Sequence, residues 1–270
     1  MLPVFDRPVI QHVVEEVVGA GSKDIIFVNS RGKSSIEDHF DIDVELESIL
    51  KSKNKKELLE VVSSVSRLIH VQSIRQKEQL GLGHAVLTAE PLVKDPLFSV
   101  LLADEMMESK DGSPGGGLKQ LFEVHRRLPK SSNGAGVILL MRVADEEVSK
   151  YGICEIEDER GQQDFFRIKH CKEKPDPAKT KSRWAIIGRY LLPQELFQIL
   201  SRQKPGAIGE IQLTDALNTL AEKGQLYGCE FQGKRFDAGD RFGFLKANLH
   251  YYLKSPLKKQ VIEYLKELVG

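Results

Sequence analysis

The sequence predicts a layered α/β protein organised around one mostly parallel β-sheet. Three observations predict it. Short apolar runs such as Ile25-Ile26-Phe27-Val28 and Val100-Leu101-Leu102 read as strands buried on both faces. Stretches with apolar residues at helical spacing separate those runs, as in βα units. No internal repeat or low-complexity tail breaks the alternation.

The elements follow in order. Val9, Ile10, Val13, Val14, Val17 and Val18 recur at helical spacing. Pro8 suits the first turn, and Gly19 and Gly21 close the helix. The strand Asp24–Asn29 comes next. Residues 43–62 form a strongly charged, partly amphipathic helical region. A strand over 68–74, a glycine-containing loop, a short helix through Ala89 and a buried strand over 98–104 follow. That last strand ends in the carboxylate of Asp104. Ser113-Pro114-Gly115-Gly116-Gly117 reads as a surface loop, before a helix over 118–128 and a strand over 136–143.

Beyond residue 150 the rhythm changes. Ile153-Cys154-Glu155-Ile156-Glu157-Asp158 and Phe166-Arg167-Ile168-Lys169 alternate, as antiparallel strands with one wet face do. A strand over 184–192, helices near 193–200 and 211–223, and two C-terminal helices over 242–253 and 256–268 complete the reading.

Composition narrows the function classes. The 270 residues are 41% hydrophobic and 29% charged, ordinary values for a folded chain. Lysine plus arginine and aspartate plus glutamate balance at 39 each, so no net field attracts nucleic acid or an anionic membrane. No leader-like segment and no apolar run long enough to span a bilayer occurs, which makes the cytoplasm the expected compartment. Cys154, Cys171 and Cys229 form neither a disulfide framework nor a CxxC pair and read as structural. The seven histidines show no HExxH spacing, and no GxSxG elbow is present.

Several segments could carry chemistry, since ligands of α/β folds meet the carboxyl ends of strands. Arg75 to Ala85 leaves a strand and enters a helix, with Gly81 and Gly83 allowing close backbone approach. The amide of Gln76 can donate and accept, as reading a nucleobase edge requires. A glycine-built strand–helix turn explains the same residues. Asp104 at a strand end and Asp237 in Phe236-Asp237-Ala238-Gly239 could share one Mg²⁺, a cation that prefers oxygen donors and phosphate-bearing partners. Each could equally serve as a turn or cap aspartate. Glu173 can accept from sugar hydroxyls, and Lys174 can hold a phosphate; an exposed strand end is the plainer reading. Gly152 admits a sugar close to the backbone or forms a turn.

Together these segments resemble the bacterial UTP–glucose-1-phosphate uridylyltransferase family, also called UDP-glucose pyrophosphorylase. The resemblance rests on Met1-Leu2-Pro3-Val4-Phe5-Asp6-Arg7-Pro8, Gly81-Leu82-Gly83-His84-Ala85, Tyr151-Gly152 and Glu173-Lys174-Pro175. Gly209-Glu210-Ile211-Gln212-Leu213-Thr214-Asp215-Ala216 is the most specific stretch, supported by Asp237-Ala238-Gly239. It implies a Rossmann-like nucleotidyltransferase fold: a mixed, mostly parallel sheet flanked by helices, with a small antiparallel sugar-side sub-region.

The implied activity is Mg²⁺-dependent uridylyl transfer from UTP to α-D-glucose 1-phosphate. The resemblance gives uracil binding to Gln76 and Gly81, and Mg²⁺ to Asp104 and Asp237. It gives glucose to Gly152 and Glu173, and the sugar phosphate to Lys174. Asp104, Lys174 and Asp237 are thus the expected catalytic set. It further implies a homo-oligomer, dimer or tetramer, with no nucleic-acid or membrane partner. One domain is expected, with a nucleotide-side half over about 1–145, a sugar-side half over about 146–240, and terminal helices over about 241–270.

The family pattern opens with a strand, a Gly-x-Gly-Thr-Arg loop and a lysine ahead of Glu-Met-Leu-Pro; this chain starts at Met-Leu-Pro. The expectation is an N-terminally truncated chain whose sheet lacks a central strand, with low stability and little turnover. A related nucleotidyltransferase with another sugar or nucleotide, and a non-catalytic sugar-nucleotide-binding paralogue, are the alternatives.

Overall fold

The computed structural model describes residues 1–157, 164–206 and 209–270; Asp158, placed in a strand by its pattern, lies outside them. β1 (Pro3–Val4) and β2 (Arg7–Pro8) form a short antiparallel ribbon leading into α1 (Val9–Gly19). β3 (Asp24–Asn29), α2 (Ser35–Phe40), α3 (Val44–Ser52), α4 (Lys56–Ser66) and β4 (His70–Arg75) follow. The charged helical region thus consists of two helices, α3 and α4. Asn54 between α3 and α4 adopts a left-handed φ of 53°, which turns the chain back.

Next come α5 (Leu82–Thr88), β5 (Leu97–Leu101), β6 (Glu105–Ser109), α6 (Gly116–Arg127) and β7 (Gly136–Arg142). The second half holds β8 (Gly152–Ile156), β9 (Phe165–Glu173), β10 (Trp184–Pro193), α7 (Glu195–Arg202), α8 (Leu213–Glu222), β11 (Leu226–Glu230) and β12 (Gly233–Asp237). α9 (Arg241–Lys254) and α10 (Lys258–Val269) close the chain.

The α/β class with flanking helices and mixed sheets stands. The strand directions differ from the expectation of one mostly parallel sheet. Six strands lie in the order β5-β10-β7-β11-β9-β8, and β8 returns to pair with β10. Within them only β7 and β11 run parallel among the described residues. β3 and β4 form a separate parallel pair, and β6 and β12 a separate antiparallel one. A continuous apolar run reports burial on both faces, not direction. β10 is buried along its whole length yet is antiparallel to every neighbour.

Two apolar layers sandwich the six strands. Leu196, Leu200, Leu213 and Leu217 of α7 and α8 cover one face, packing on Ile138, Leu140 and Trp184. Leu118, Leu121 and Val124 of α6, with Val17 of α1, cover the other against Val137, Leu139 and Ile187. Gly115, Gly116 and Gly117, expected in a surface loop, are buried instead. A side chain at Gly116 (φ 44°) would lie 2.7 Å from the Met107 carbonyl oxygen, so that approach requires glycine.

One ion pair ties the layers together. Arg189 on β10 is 0% exposed, and its Nη2 donates to Glu16 Oε2 of α1 at 2.8 Å. Nε also donates to the Glu16 carboxylate at 3.1 Å, and Nη1 and Nη2 reach the carbonyl oxygens of Leu102 (3.2 Å), Gly188 (3.0 Å) and Glu105 (2.7 Å). Glu16 Oε1 also accepts from the Leu118 amide at 2.9 Å, satisfying a free N–H at the start of α6. Every polar atom of the pair thus has a partner, which a buried charge requires.

β3 and β5 face each other across a cleft of about 1160 Å³. Ile25 to Val28 line one wall, Phe98 to Leu101 the other, and Val13 and Val17 of α1 contribute to it. β3 is paired only with β4, and β5 only with β10, among the described residues. Each strand therefore presents one unpaired edge.

Replacing Arg189 by methionine leaves Glu16 buried and uncompensated. Arg189→Met is expected to lose about 3–5 kcal/mol in urea denaturation, with part of the loss recovered in the Glu16→Gln/Arg189→Met double variant.

Candidate functional site

Asp104 sits in the turn between β5 and β6, and Asp237 ends β12. The two are far apart in sequence, but the Ala238 amide donates to the Asp104 carbonyl oxygen at 2.7 Å. Both carboxylates converge beside Gly239. A Cβ there would lie 2.9 Å from Asp104 Oδ2 and 3.2 Å from Asp237 Oδ1. Asp237 Oδ1 also accepts from the Gly239 and Asp240 amides, which fixes its orientation. Burial raises the Asp104 carboxyl above its ordinary pKa, and the negative charges of Glu105 and Asp237 push the same way.

No cluster of three or more metal-ligating side chains occurs among the described residues. Two carboxylates nevertheless fit a Mg²⁺ ion that takes its other oxygens from water and phosphate. A cation at this point would offset the mutual repulsion of the two carboxylates.

Arg235 organises the surroundings. Its side chain is 11% exposed and lies between Glu105 and Asp237. Nε donates to Glu105 Oε2 at 2.7 Å, and Nη2 to Glu105 Oε1 at 2.9 Å and Asp237 Oδ2 at 3.2 Å. Burial opposes its charge, but the hydrogen bonds and charge of Glu105, together with Tyr151, outweigh this and push its pKa above the ordinary value. Nη1 donates to the Tyr151 hydroxyl at 3.3 Å, and the guanidinium lies over the Tyr151 ring at 5.4 Å.

Tyr151 leads into the second group, where β8 and β9 start and end together. Gly152 pairs with Glu173, and the Lys174 amide donates to the Tyr151 carbonyl at 3.0 Å. Thr214 at the start of α8 donates to Glu173 Oε2 at 2.5 Å. Gly152 is tightly enclosed: a side chain there would meet Thr214 Oγ1 at 3.0 Å and Glu173 Oε2 at 3.1 Å. Lys174 holds a left-handed φ of 39°, unusual for a residue with a side chain, and its ammonium group is exposed.

A third group forms at the mouth of the cleft. Gln76 Nε2 reaches His84 Nδ1 at 2.9 Å and the Gly81 carbonyl oxygen at 3.3 Å. Gly81 has φ 91°, and a Cβ on it would lie 2.9 Å from Glu210 Cβ. The Gly83 amide donates to the Ile211 carbonyl at 2.9 Å, and the Ile211 amide to the Leu80 carbonyl at 2.8 Å. Gln76, Gly81 and Glu210 line the cleft, as do Leu102 and Ala103 immediately before Asp104.

The residues singled out in the sequence therefore gather as Gln76 with Gly81, Asp104 with Asp237, and Gly152 with Glu173 and Lys174. Arg235 and Tyr151 join the last two groups. Sequence reasoning gave no role to Glu105, Thr214, Arg235 or Arg189. Glu105 adjoins Asp104, and Arg235 shares the alternation of β12 with Asp237, so both were detectable as neighbours; Arg189 sits in an apolar run with nothing beside it to mark its partner.

Residues 1–253 match the family model described as Nucleotidyl transferase. The chain is 42% identical over 273 residues to the UTP--glucose-1-phosphate uridylyltransferase of Streptococcus pneumoniae serotype 4, covering 99% of this chain and 89% of that protein. The chain belongs to the bacterial UDP-glucose pyrophosphorylase family. A UDP-glucose pyrophosphorylase structure complexed with UDP-glucose superposes with a TM-score of 0.82 at 37% identity, covering 94% of this chain and 90% of that one. The UTP-bound enzyme from Acinetobacter baumannii gives 0.85 at 34% identity, covering 100% and 90%. Among the described residues, no helix of this family member is long and apolar enough to cross a membrane.

Gly81 has both a glycine-only backbone and no room for a methyl group. Gly81→Ala is expected to cost about 1–3 kcal/mol, measured by urea denaturation, and to weaken the contact of 80–83 with 209–211.

Proposed function

We propose that the site transfers the uridylyl group of UTP to α-D-glucose 1-phosphate, forming UDP-glucose and pyrophosphate. The observation that carries this reading is the convergence of Asp104 and Asp237 on one point, joined through Arg235 and Tyr151 to the Gly152–Glu173 pair. That arrangement sets two carboxylates suited to a divalent cation near the polar group of Gly152, Glu173 and Thr214. The UDP-glucose and UTP found in the two related structures support the same assignment.

On this reading Gln76 and Gly81 hold the uracil, Gly152 and Glu173 the glucose, and Lys174 the sugar phosphate. Asp104 and Asp237 would hold Mg²⁺, which supplies charge neutralisation at the phosphate oxygens. A phosphate oxygen of glucose 1-phosphate attacks the α-phosphorus of UTP; the bond to the bridging oxygen breaks, and pyrophosphate leaves with the electron pair. The attacking oxygen is already anionic, so alignment and electrostatics contribute more than a general base. Glu173, fixed by Thr214, orients the sugar, and the exposed Lys174 ammonium, 3.9 Å from Glu173 Oε1, would turn from that ion pair onto the sugar phosphate. The nucleotide-side half then spans about 1–145 and the sugar-side half about 146–240. We place the protein in the cytoplasm as a homo-oligomer.

Calorimetry with UDP-glucose and Mg²⁺ should give saturable binding, preferred over dTDP-, GDP- and ADP-glucose. Lys174→Ala should weaken it about 10- to 100-fold, the worth of one charge-assisted hydrogen bond of about 1.5–3 kcal/mol. Pyrophosphate should be released from UTP only when glucose 1-phosphate and Mg²⁺ are both present. Absence of that release would overturn the proposed reaction, and no UDP-glucose binding would overturn the site assignment.

A further inference from the structure

The three cysteines take no part in the chemistry proposed above. Two of them, 17 residues apart in sequence, meet in the fold with their Sγ atoms 3.1 Å apart. That is closer than the ~3.5–4.0 Å at which non-bonded carbon atoms rest. Cys154 lies on β8 and Cys171 directly opposite on β9.

The backbone register favours a covalent link. The Lys174 amide donates to the Tyr151 carbonyl, which makes Tyr151 and Lys174 a hydrogen-bonded position of the antiparallel ladder. Bonded and non-bonded positions alternate, and Cys154–Cys171 lies three positions further along. It is therefore a non-hydrogen-bonded pair, and the Cys171 amide accordingly donates sideways to Asn218 Oδ1 of α8 at 2.9 Å. Facing Cα atoms at such positions are ~4.5 Å apart, inside the ~4.4–6.8 Å range of disulfides. Gly152–Glu173 is the neighbouring non-bonded pair, two residues along on the same face.

We propose that Cys154 and Cys171 are a latent dithiol site that closes to a cross-strand disulfide under oxidation and clamps β8 to β9 beside Gly152 and Glu173. The inference is independent of which reaction the site performs. Both side chains are buried, at 0% and 3% exposure. Burial, and then the contact with Cys171, push the Cys154 thiol well above its ordinary pKa. The thiolate is the reactive form, so the pair stays reduced under mild conditions and closes slowly, through local opening of the strands. Such behaviour suits a stress-responsive pair rather than a permanent structural bond.

A small uncharged oxidant of the azodicarboxamide class, diamide, supplies the missing reactant. One cysteine thiolate adds across its N=N bond. The second thiolate attacks that sulfur, the S–N bond breaks, and the hydrazine departs. The two thiols are oxidised, and the reagent carries away two electrons and two protons.

The test is intact-mass spectrometry of the reduced chain before and after diamide, with a non-reducing digest. The expected result is a loss of two hydrogens and one linked peptide pair joining Cys154 to Cys171, reversed by dithiothreitol. Cys229, buried without a sulfur partner among the described residues, should still alkylate after unfolding. Cys154→Ser and Cys171→Ser should each abolish the mass change. Three alkylatable thiols after prolonged exposure, a link through Cys229, or a Cys154–Cys171 link that forms only in urea would each overturn the proposal.

Discussion

The buried pair between Arg189 and Glu16 is the constraint on which the rest of the arrangement depends. A guanidinium has donors in a rigid fork and cannot lose its charge at neutral pH, so burying one demands acceptors on several sides. Arg189 finds them on α1, on its own strand, and at Leu102 and Glu105. Those last two carbonyls bracket the turn that carries Asp104. Glu16 in turn accepts from the first turn of α6. One charge on β10 thus sets the depth of α1, the entry of α6 and the position of the Asp104 turn. Hydrophobic burial stabilises the layers, but it is non-directional and would tolerate sliding; the ion pair does not.

A second guanidinium extends the same logic outward. The Glu105 side chain receives Arg235 while also accepting from the Gly188 amide, and its main-chain carbonyl receives Arg189. Arg235 then reaches Asp237 and Tyr151. Carboxylates and arginines alternate from the protein centre to the site, so each charge has an opposite neighbour. Asp104 stands apart from this chain of pairs. It lies at the exposed rim of the site, and its pKa is raised first by desolvation of the carboxyl and then by the charges of Glu105 and Asp237. A carboxylate kept in that state by its framework is predisposed to bind a cation.

Much of the fold was legible in the sequence because burial leaves periodic traces. The Val9 to Val18 spacing gave α1, the Asp24–Asn29 run gave β3, and the helical spacing of 242–253 and the amphipathic pattern of 256–268 gave α9 and α10. Strand direction was not legible, since the fully buried β10 reads the same whichever way its neighbours run. β6 was missed because Glu105 and Glu108 disguise a strand whose Met106 is 1% exposed. The buried glycines at the start of α6 read as a surface loop because their close contacts with Gly19 and Met107 are tertiary. In the site, motif-bearing residues such as Gln76, Asp104 and Glu173 could be named from local pattern. Their supports could not. Thr214, Arg235 and the Cys154–Cys171 contact acquire meaning only when distant segments meet.

The central claim is that the charged framework holds Asp104 and Asp237 as one cation site shared with a nucleotide sugar. Crystals grown with UDP-glucose and Mn²⁺, examined by anomalous scattering at the manganese edge, test it most directly. The account predicts a single ion bonded to both carboxylates at about 2.1 Å, with phosphate oxygens completing its shell. Manganese bound elsewhere, or held by phosphate while the two carboxylates remain apart, would contradict it.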